Sequence, residues 1–228
     1  MMRLKQIHYS WVMTILGISA LASFAIMIYT FGIFLVPITT EFGWERGELS
    51  AAFSITTLVG GCLGILAGRI SDKYGPRPLV TVGGLTAGTG YFLMLKISSL
   101  WQVYLIWGIL MGIAWACFTI PVTSTIPRWF IKRRGMAQGL TMTGMGLGGL
   151  IWPPFAQWLI SSFGWQQAYI TLGLIILIIA IPLAQFMKHS PQRIGLRPYR
   201  EDETTDKESL AKMAEGLSLK QTIKTGRF

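Results

Sequence analysis

Six long blocks of this chain contain no aspartate, glutamate or arginine, and that freedom from charge limits what it can fold into more than any other feature. They lie at about 11–38, 49–68, 79–97, 101–127, 136–161 and 165–187, with Lys96 the one charged residue, at the end of the third. A helix rising about 1.5 Å per residue needs roughly 20 apolar residues to cross about 30 Å of hydrocarbon, and each block is about that long or longer. A charge at a helix centre would cost roughly 2.5–3.5 kcal/mol on insertion, so such clean segments enter a bilayer readily. Because a helix satisfies its own backbone hydrogen bonds and an open sheet does not, the expected class is an all-α integral membrane fold with six transmembrane helices.

The positive charges sort by loop. Arg3 and Lys5 precede the first block; Arg69, Lys73 and Arg77 join the second to the third; Arg128, Lys132, Arg133 and Arg134 join the fourth to the fifth; Lys188, Arg193, Arg197 and Arg200 follow the sixth. Only Arg46 and Lys96 lie on the other side. By the positive-inside rule both termini are predicted cytoplasmic. A net charge of +10 raises nucleic acid as a partner, but these cations flank spans instead of forming one stripe, so no nucleic-acid binding is expected. The first apolar block far exceeds the roughly 7–15 residues of a signal-peptide core, so it reads as a retained anchor.

Loops this short leave no room for a catalytic domain before Lys188. No nucleophile elbow, phosphate loop or metal-ligand spacing occurs, so no catalytic residue, metal or cofactor is assigned and the chain is not read as an enzyme. His8 and His189 sit at span ends as interfacial residues, and Cys62 and Cys117 read as small packing residues within spans. Residues 1–187 form the expected six-helix bundle, surrounded by membrane lipid. Residues 188–228 form a polar cytoplasmic linker, containing the solvated run Glu201 to Asp206 and a short amphipathic helix at about 217–225. An interfacial helix followed at once by Phe228 suggests that another span begins there.

Two segments carry a family resemblance. Gly68-Arg69-Ile70-Ser71-Asp72-Lys73-Tyr74-Gly75-Pro76-Arg77 reads as a loop in which Gly68 admits a close neighbour, Asp72 sets an anion among cations, and Gly75-Pro76 forces a turn. It resembles the signature loop between helices two and three of the major facilitator superfamily at Gly68, Asp72, Lys73, Gly75 and Arg77, with Pro76 where that family usually has a basic residue. The segment Arg128-Trp129-Phe130-Ile131-Lys132-Arg133-Arg134-Gly135-Met136-Ala137-Gln138-Gly139 resembles the entry to helix five in the monocarboxylate-transporter and oxalate/formate-antiporter group, at Arg128, Phe130, Arg133, Arg134, Gly135 and Gly139. Glu41 to Ser50 and Phe163-Gly164-Trp165 are similar to external loops of its prokaryotic members. At the start of helix one, by contrast, only Trp11 of His8-Tyr9-Ser10-Trp11 matches the animal carriers.

The resemblance implies the N-terminal half of a twelve-helix fold, itself a 3+3 inverted repeat. Arg46-Gly47 and Arg134-Gly135, each opening the helix after spans one and four, are a faint internal echo of that repeat. It also implies a cytoplasmic gating latch at Asp72, whose partner would lie partly in a C-terminal six-helix half beyond Phe228. The implied activity is transport of small organic solutes, most readily mono- or dicarboxylates, by proton symport or anion exchange, with an organic anion as partner. A carrier of another metabolite or drug, or a non-transporting assembly partner, are the alternatives.

Since spans one and four line the cavity in that fold, Tyr29, Trp115, Thr119 and Thr123 are the candidate substrate contacts, the last three sharing a helical face. Their hydroxyls equally suit i−4 carbonyls of the same helix. Gly60, Gly64, Gly68, Gly144 and Gly148 suit either moving interfaces or close packing within the bundle, and Pro153-Pro154 either a hinge or a static bend. No charge lies at bilayer depth, so this segment alone neutralises no anion there. The expected continuation is tested on the coding DNA: a frame running past Phe228 into about six further spans, with an arginine or lysine inside the second, supports it, and a stop codon removes it.

Overall fold

The computed structural model describes residues 9–130 and 133–190, and these form six long helices. They are α1 (Tyr9–Phe42), α2 (Arg46–Tyr74), α3 (Pro76–Lys96), α4 (Leu100–Trp129), α5 (Arg134–Phe163) and α6 (Trp165–Phe186). The acidic run, the amphipathic stretch at 217–225, His8, Ile131 and Lys132 lie outside the described residues.

All except α5 are long and apolar enough to cross a membrane. Helix α5 has 30 residues, but glycine, threonine, tryptophan, glutamine and Pro153-Pro154 dilute its apolar content. Its place beside α1 shows its depth. Thr141 lies against Gly17, Gly144 against Ile18, Gly148 against Ala22 and Ala25, and Gly149 against Tyr29, so the two helices run parallel along a shared length. Both prolines sit inside a continuous helix, and the neighbouring Trp152 donates its Nε1–H to the Ala22 carbonyl at 2.7 Å.

Three tightly packed pairs build the bundle: α1 with α5, α2 with α4, and α3 with α6. Each has a seam of small residues. A methyl group added at Gly144 would fall 2.2 Å from the Ile18 carbonyl oxygen, and one at Gly148 would fall 2.3 Å from Ala25 Cβ. Gly60 accepts the Trp115 ring of α4, while Gly108 and Gly112 of α4 accept Ile55 and Val59 of α2. Gly84 and Gly88 face Ala180 and Leu177, and Gly173 faces Tyr91, so α3 and α6 run antiparallel. Exchanging α1 with α4, α2 with α5 and α3 with α6 maps this set of pairs onto itself, as a 3+3 repeat requires. The two Arg-Gly dipeptides fall at equivalent places, the first turns of α2 and α5.

The glycine alternatives separate here. Gly60, Gly144 and Gly148 are buried in close packing within the bundle, whereas Gly64 and Gly68 touch only Ile120 at ordinary van der Waals distance. Cys117 is buried behind Gly83, whereas Cys62 is exposed on α2, so of the two only Cys117 packs in the interior of this bundle.

Inside α4, Tyr104–Leu110 is wound as a π-helix. This widened turn accompanies a Trp107 carbonyl that accepts from Thr56 Oγ1 of α2 at 2.7 Å. Nearby, Thr30 and Tyr91 pair through their hydroxyls at 3.0 Å in a core shared with Trp107 and Tyr169. The close α1–α5 approach predicts that Gly144→Ala lowers the unfolding midpoint in detergent, through overpacking worth about 1–3 kcal/mol, whereas Gly32→Ala, with open space beside it, does not. Equal midpoints for the two variants would remove the seam as a determinant of stability.

Candidate functional site

The expected loop after the second span is mostly helix. Gly68 through Tyr74 form the last two turns of α2, and the chain reverses at one residue, Gly75, whose φ of 91° only glycine adopts readily. A methyl there would also lie 3.0 Å from His189 Cβ. The helix continues past the last apolar residues because its final turn is exposed, where polar side chains remain hydrated. As a result Asp72 and Lys73 stand at fixed positions on a rigid element.

Asp72 forms an ion pair with Arg128 at 2.5 Å, with side chains 64% and 35% exposed. The structure thus joins the two motif segments, far apart in sequence, by a direct bond from α2 to the end of α4. The sequence reading had placed part of Asp72's partnership in a further half; among the described residues its partner is in this bundle. Because both groups meet water, the pair contributes no more than about 1 kcal/mol. Arg128 also approaches His189 Nε2 at 3.4 Å, and Lys73 lies 5.0 Å from the centre of its neighbour Tyr74's ring.

Around this pair, three successive carbonyls, of the last residue of α6 and the two after it, are each taken by a different element. Tyr9 of α1 donates its hydroxyl hydrogen to Phe186, Arg77 of α3 donates its Nε–H to Met187 at 2.8 Å, and Trp129 of α4 donates its indole N–H to Lys188 at 3.3 Å. The final carbonyls of any helix lack internal partners, which explains the bond at Phe186; those of Met187 and Lys188 lie beyond the helix and have no partner within it either. Ser10 adds a bond to the Trp129 carbonyl at 3.0 Å. Tyr9, Trp129 and His189 therefore belong to this site, and sequence reasoning assigned them no role there. The only signal was their position at span ends.

The remaining motif residues divide. Phe130 is fully buried, edge-on to Trp11 at 5.4 Å, and its carbonyl accepts Arg134 Nε–H at 2.8 Å, which anchors the entry to α5. Arg133 occupies the capping position before α5. Gly135 and Gly139 have open space on their Cβ side, so no close approach within this bundle explains them.

Of the candidate cavity residues, Trp115 is half-buried between Gly60 and two phenylalanines, Phe24 at 5.4 Å and Phe53 at 6.3 Å. Below it Thr119 Oγ1 donates to the Trp115 carbonyl at 2.8 Å and Thr123 Oγ1 to the Thr119 carbonyl at 2.7 Å. Each hydroxyl thus spends its proton on its own helix and presents lone pairs outward. Tyr29 is 40% exposed and covers Gly149 of α5. Five residues separate it from Phe24, which turns it about 140° around α1 from the side that meets Trp115. The four residues therefore form two separate patches. Among the described residues no cluster of histidine, cysteine or carboxylate has metal-ligand geometry.

Comparison with known proteins agrees with this architecture. The Major Facilitator Superfamily model matches residues 11–225. Monocarboxylate transporter 13 of Rattus norvegicus is 32% identical over 147 residues, covering 64% of this chain and 34% of that protein. Monocarboxylate transporter 11 of Homo sapiens is 40% identical over 108 residues, or 47% and 23% of the two chains. MFS-type transporter eupM of Phoma sp is 29% identical over 157 residues, or 68% and 56%. The alignments span about a third or less of the two monocarboxylate transporters' own length. With an all-helical bundle of these apolar helices and a family model matching nearly its whole length, the chain is an integral membrane protein that belongs to the Major Facilitator Superfamily.

Proposed function

We propose that this chain is the N-terminal six-helix half of a secondary transporter for small organic anions, most readily mono- or dicarboxylates, that works by alternating access and is not an enzyme. The observation that carries the reading is the exposed Asp72–Arg128 pair joining α2 to α4 at the basic end of the bundle. A latch used in every cycle must hold one state and yield in the other, and a solvent-screened pair of this strength does both. The carboxylate class is supported by the monocarboxylate transporters among the relatives.

In this reading the basic end faces the cytoplasm of a bacterial plasma membrane, and residues 188–228 lead to a second six-helix half. The wide exposed faces of α2 and α5, where Leu58, Ile65, Leu147 and Leu150 lie open, are the surfaces on which that half packs. Trp115, Thr119 and Thr123 form an uncharged wall of the solute path, with Tyr29 a second patch of it. That wall orients a solute through its lone pairs and ring but offers no countercharge, so the cation that meets the carboxylate comes from the other half. Coupling by proton symport or by anion exchange both fit this division.

The reading is tested by counterflow of labelled monocarboxylates in proteoliposomes containing the complete protein. Saturable exchange is expected, and its absence across a broad carboxylate panel would overturn the proposal. Asp72→Asn removes the charge that holds Arg128 and should shift cysteine labelling toward opening at the basic end; unchanged labelling on both faces would remove the latch role. Thr119→Val and Trp115→Ala are expected to raise the half-saturation concentration several-fold, whereas unaltered kinetics would return both residues to packing.

A further inference from the structure

Where the basic end of α3 meets the end of α6, the surface forms an open pocket of about 260 Å3 that the transport reading does not use. Arg77, Lys188 and His189 line it, together with Tyr74, Met187 and the turn at Gly75-Pro76, and among the described residues no carboxylate is in its walls. Arg77 commits its Nε–H to the Met187 carbonyl, which leaves its two terminal NH2 groups as donors. The Lys188 ammonium rests 4.8 Å from the Tyr9 ring centre, and among the described residues neither cation has an ion-pair partner. Asp72, on the adjacent helix end, is engaged by Arg128.

Helix α3 begins at Pro76 on the wall of this pocket, and because Pro76 and Pro78 carry no N–H its first turn adds little positive charge beyond the Arg77 side chain. The carbonyls at and just past the end of α6 that would repel an anion are already occupied by Tyr9, Arg77 and Trp129. From this mouth, apolar side chains run outward on both helices into the hydrocarbon layer: Val82 and Leu85 on α3, and Phe186 and Ile178 on α6, the last 68% exposed. Because α3 and α6 pack antiparallel along a glycine seam, the end that carries the cations is also one end of a shared helix junction.

We infer that this pocket binds the phosphate of an anionic phospholipid, with Arg77 and Lys188 holding the headgroup and the acyl chains lying along the exposed side chains of α3 and α6. A soluble phosphate would meet the same two cations, but it would gain nothing from the apolar surface that continues from them. Basic sites at helix junctions on the membrane surface suit such headgroups, with about 1 kcal/mol for each lysine or arginine.

The test is retention of defined lipids by the purified, delipidated full chain, read by native mass spectrometry with dioleoyl phosphatidylglycerol and dioleoyl phosphatidylcholine. The wild type should retain the anionic phosphatidylglycerol preferentially. Lys188→Gln, which keeps the backbone bonds of that residue, should weaken its retention about fivefold. Lys188→Arg should restore retention, and Lys96→Gln at the opposite end should leave it unchanged. Equal retention of the two lipids, or full retention by Lys188→Gln, would overturn the site. Displacement of the lipid by millimolar inorganic phosphate would show that the cations serve a soluble anion and would overturn the lipid assignment.

Discussion

Among lipid tails an apolar side chain gains little by leaving hydrocarbon for another apolar side chain, so helices in a membrane are held together by how closely their backbones can approach. Everything else in this bundle depends on that condition. It explains why glycine is placed at the contacts of α1 with α5, α2 with α4 and α3 with α6, where an added methyl would collide with a carbonyl or a neighbouring side chain. It also explains why α5 can lie deep in the bundle with a composition less apolar than its neighbours: Thr141, Gly144, Gly148 and Gly149 add little hydropathy but are the residues that meet α1.

The second recurring demand is that buried backbone groups find partners. The π-helical turn of α4 accompanies a carbonyl that Thr56 captures from α2, and the carbonyls at and just past the end of α6 are met by side chains from α1, α3 and α4. The second set has a functional consequence. It binds the exit of α6 to the same basic end that carries the Asp72–Arg128 pair, with Arg128 itself reaching His189. The Asp72–Arg128 pair therefore lies close to the point where the chain leaves α6.

Much of the architecture was legible along the chain. Charge-free blocks of sufficient length, separated by basic or glycine-containing breaks, led to helices in the right order because hydrophobic length is a property of contiguous residues. The boundaries were less legible. The apolar block ending near Gly68 gave no sign that α2 continues to Tyr74, since polar residues in an exposed final turn look the same in sequence as residues in a loop. The weak apolar signal of α5 is a further case, because its depth comes from its partner α1.

By itself the sequence determined the class of the molecule, its helix count, the separation of basic from neutral ends and the two motif segments, because each follows from residues that are neighbours in the chain. Only the tertiary structure decided that Asp72 meets Arg128, that Tyr29 and Trp115 occupy different faces, that Gly144 and Gly148 serve the α1–α5 seam, and that Arg77 and Lys188 open on one pocket. The reason is physical. Such meetings depend on helix rotation and on which pairs pack, and both are set by contacts between residues tens to more than a hundred positions apart.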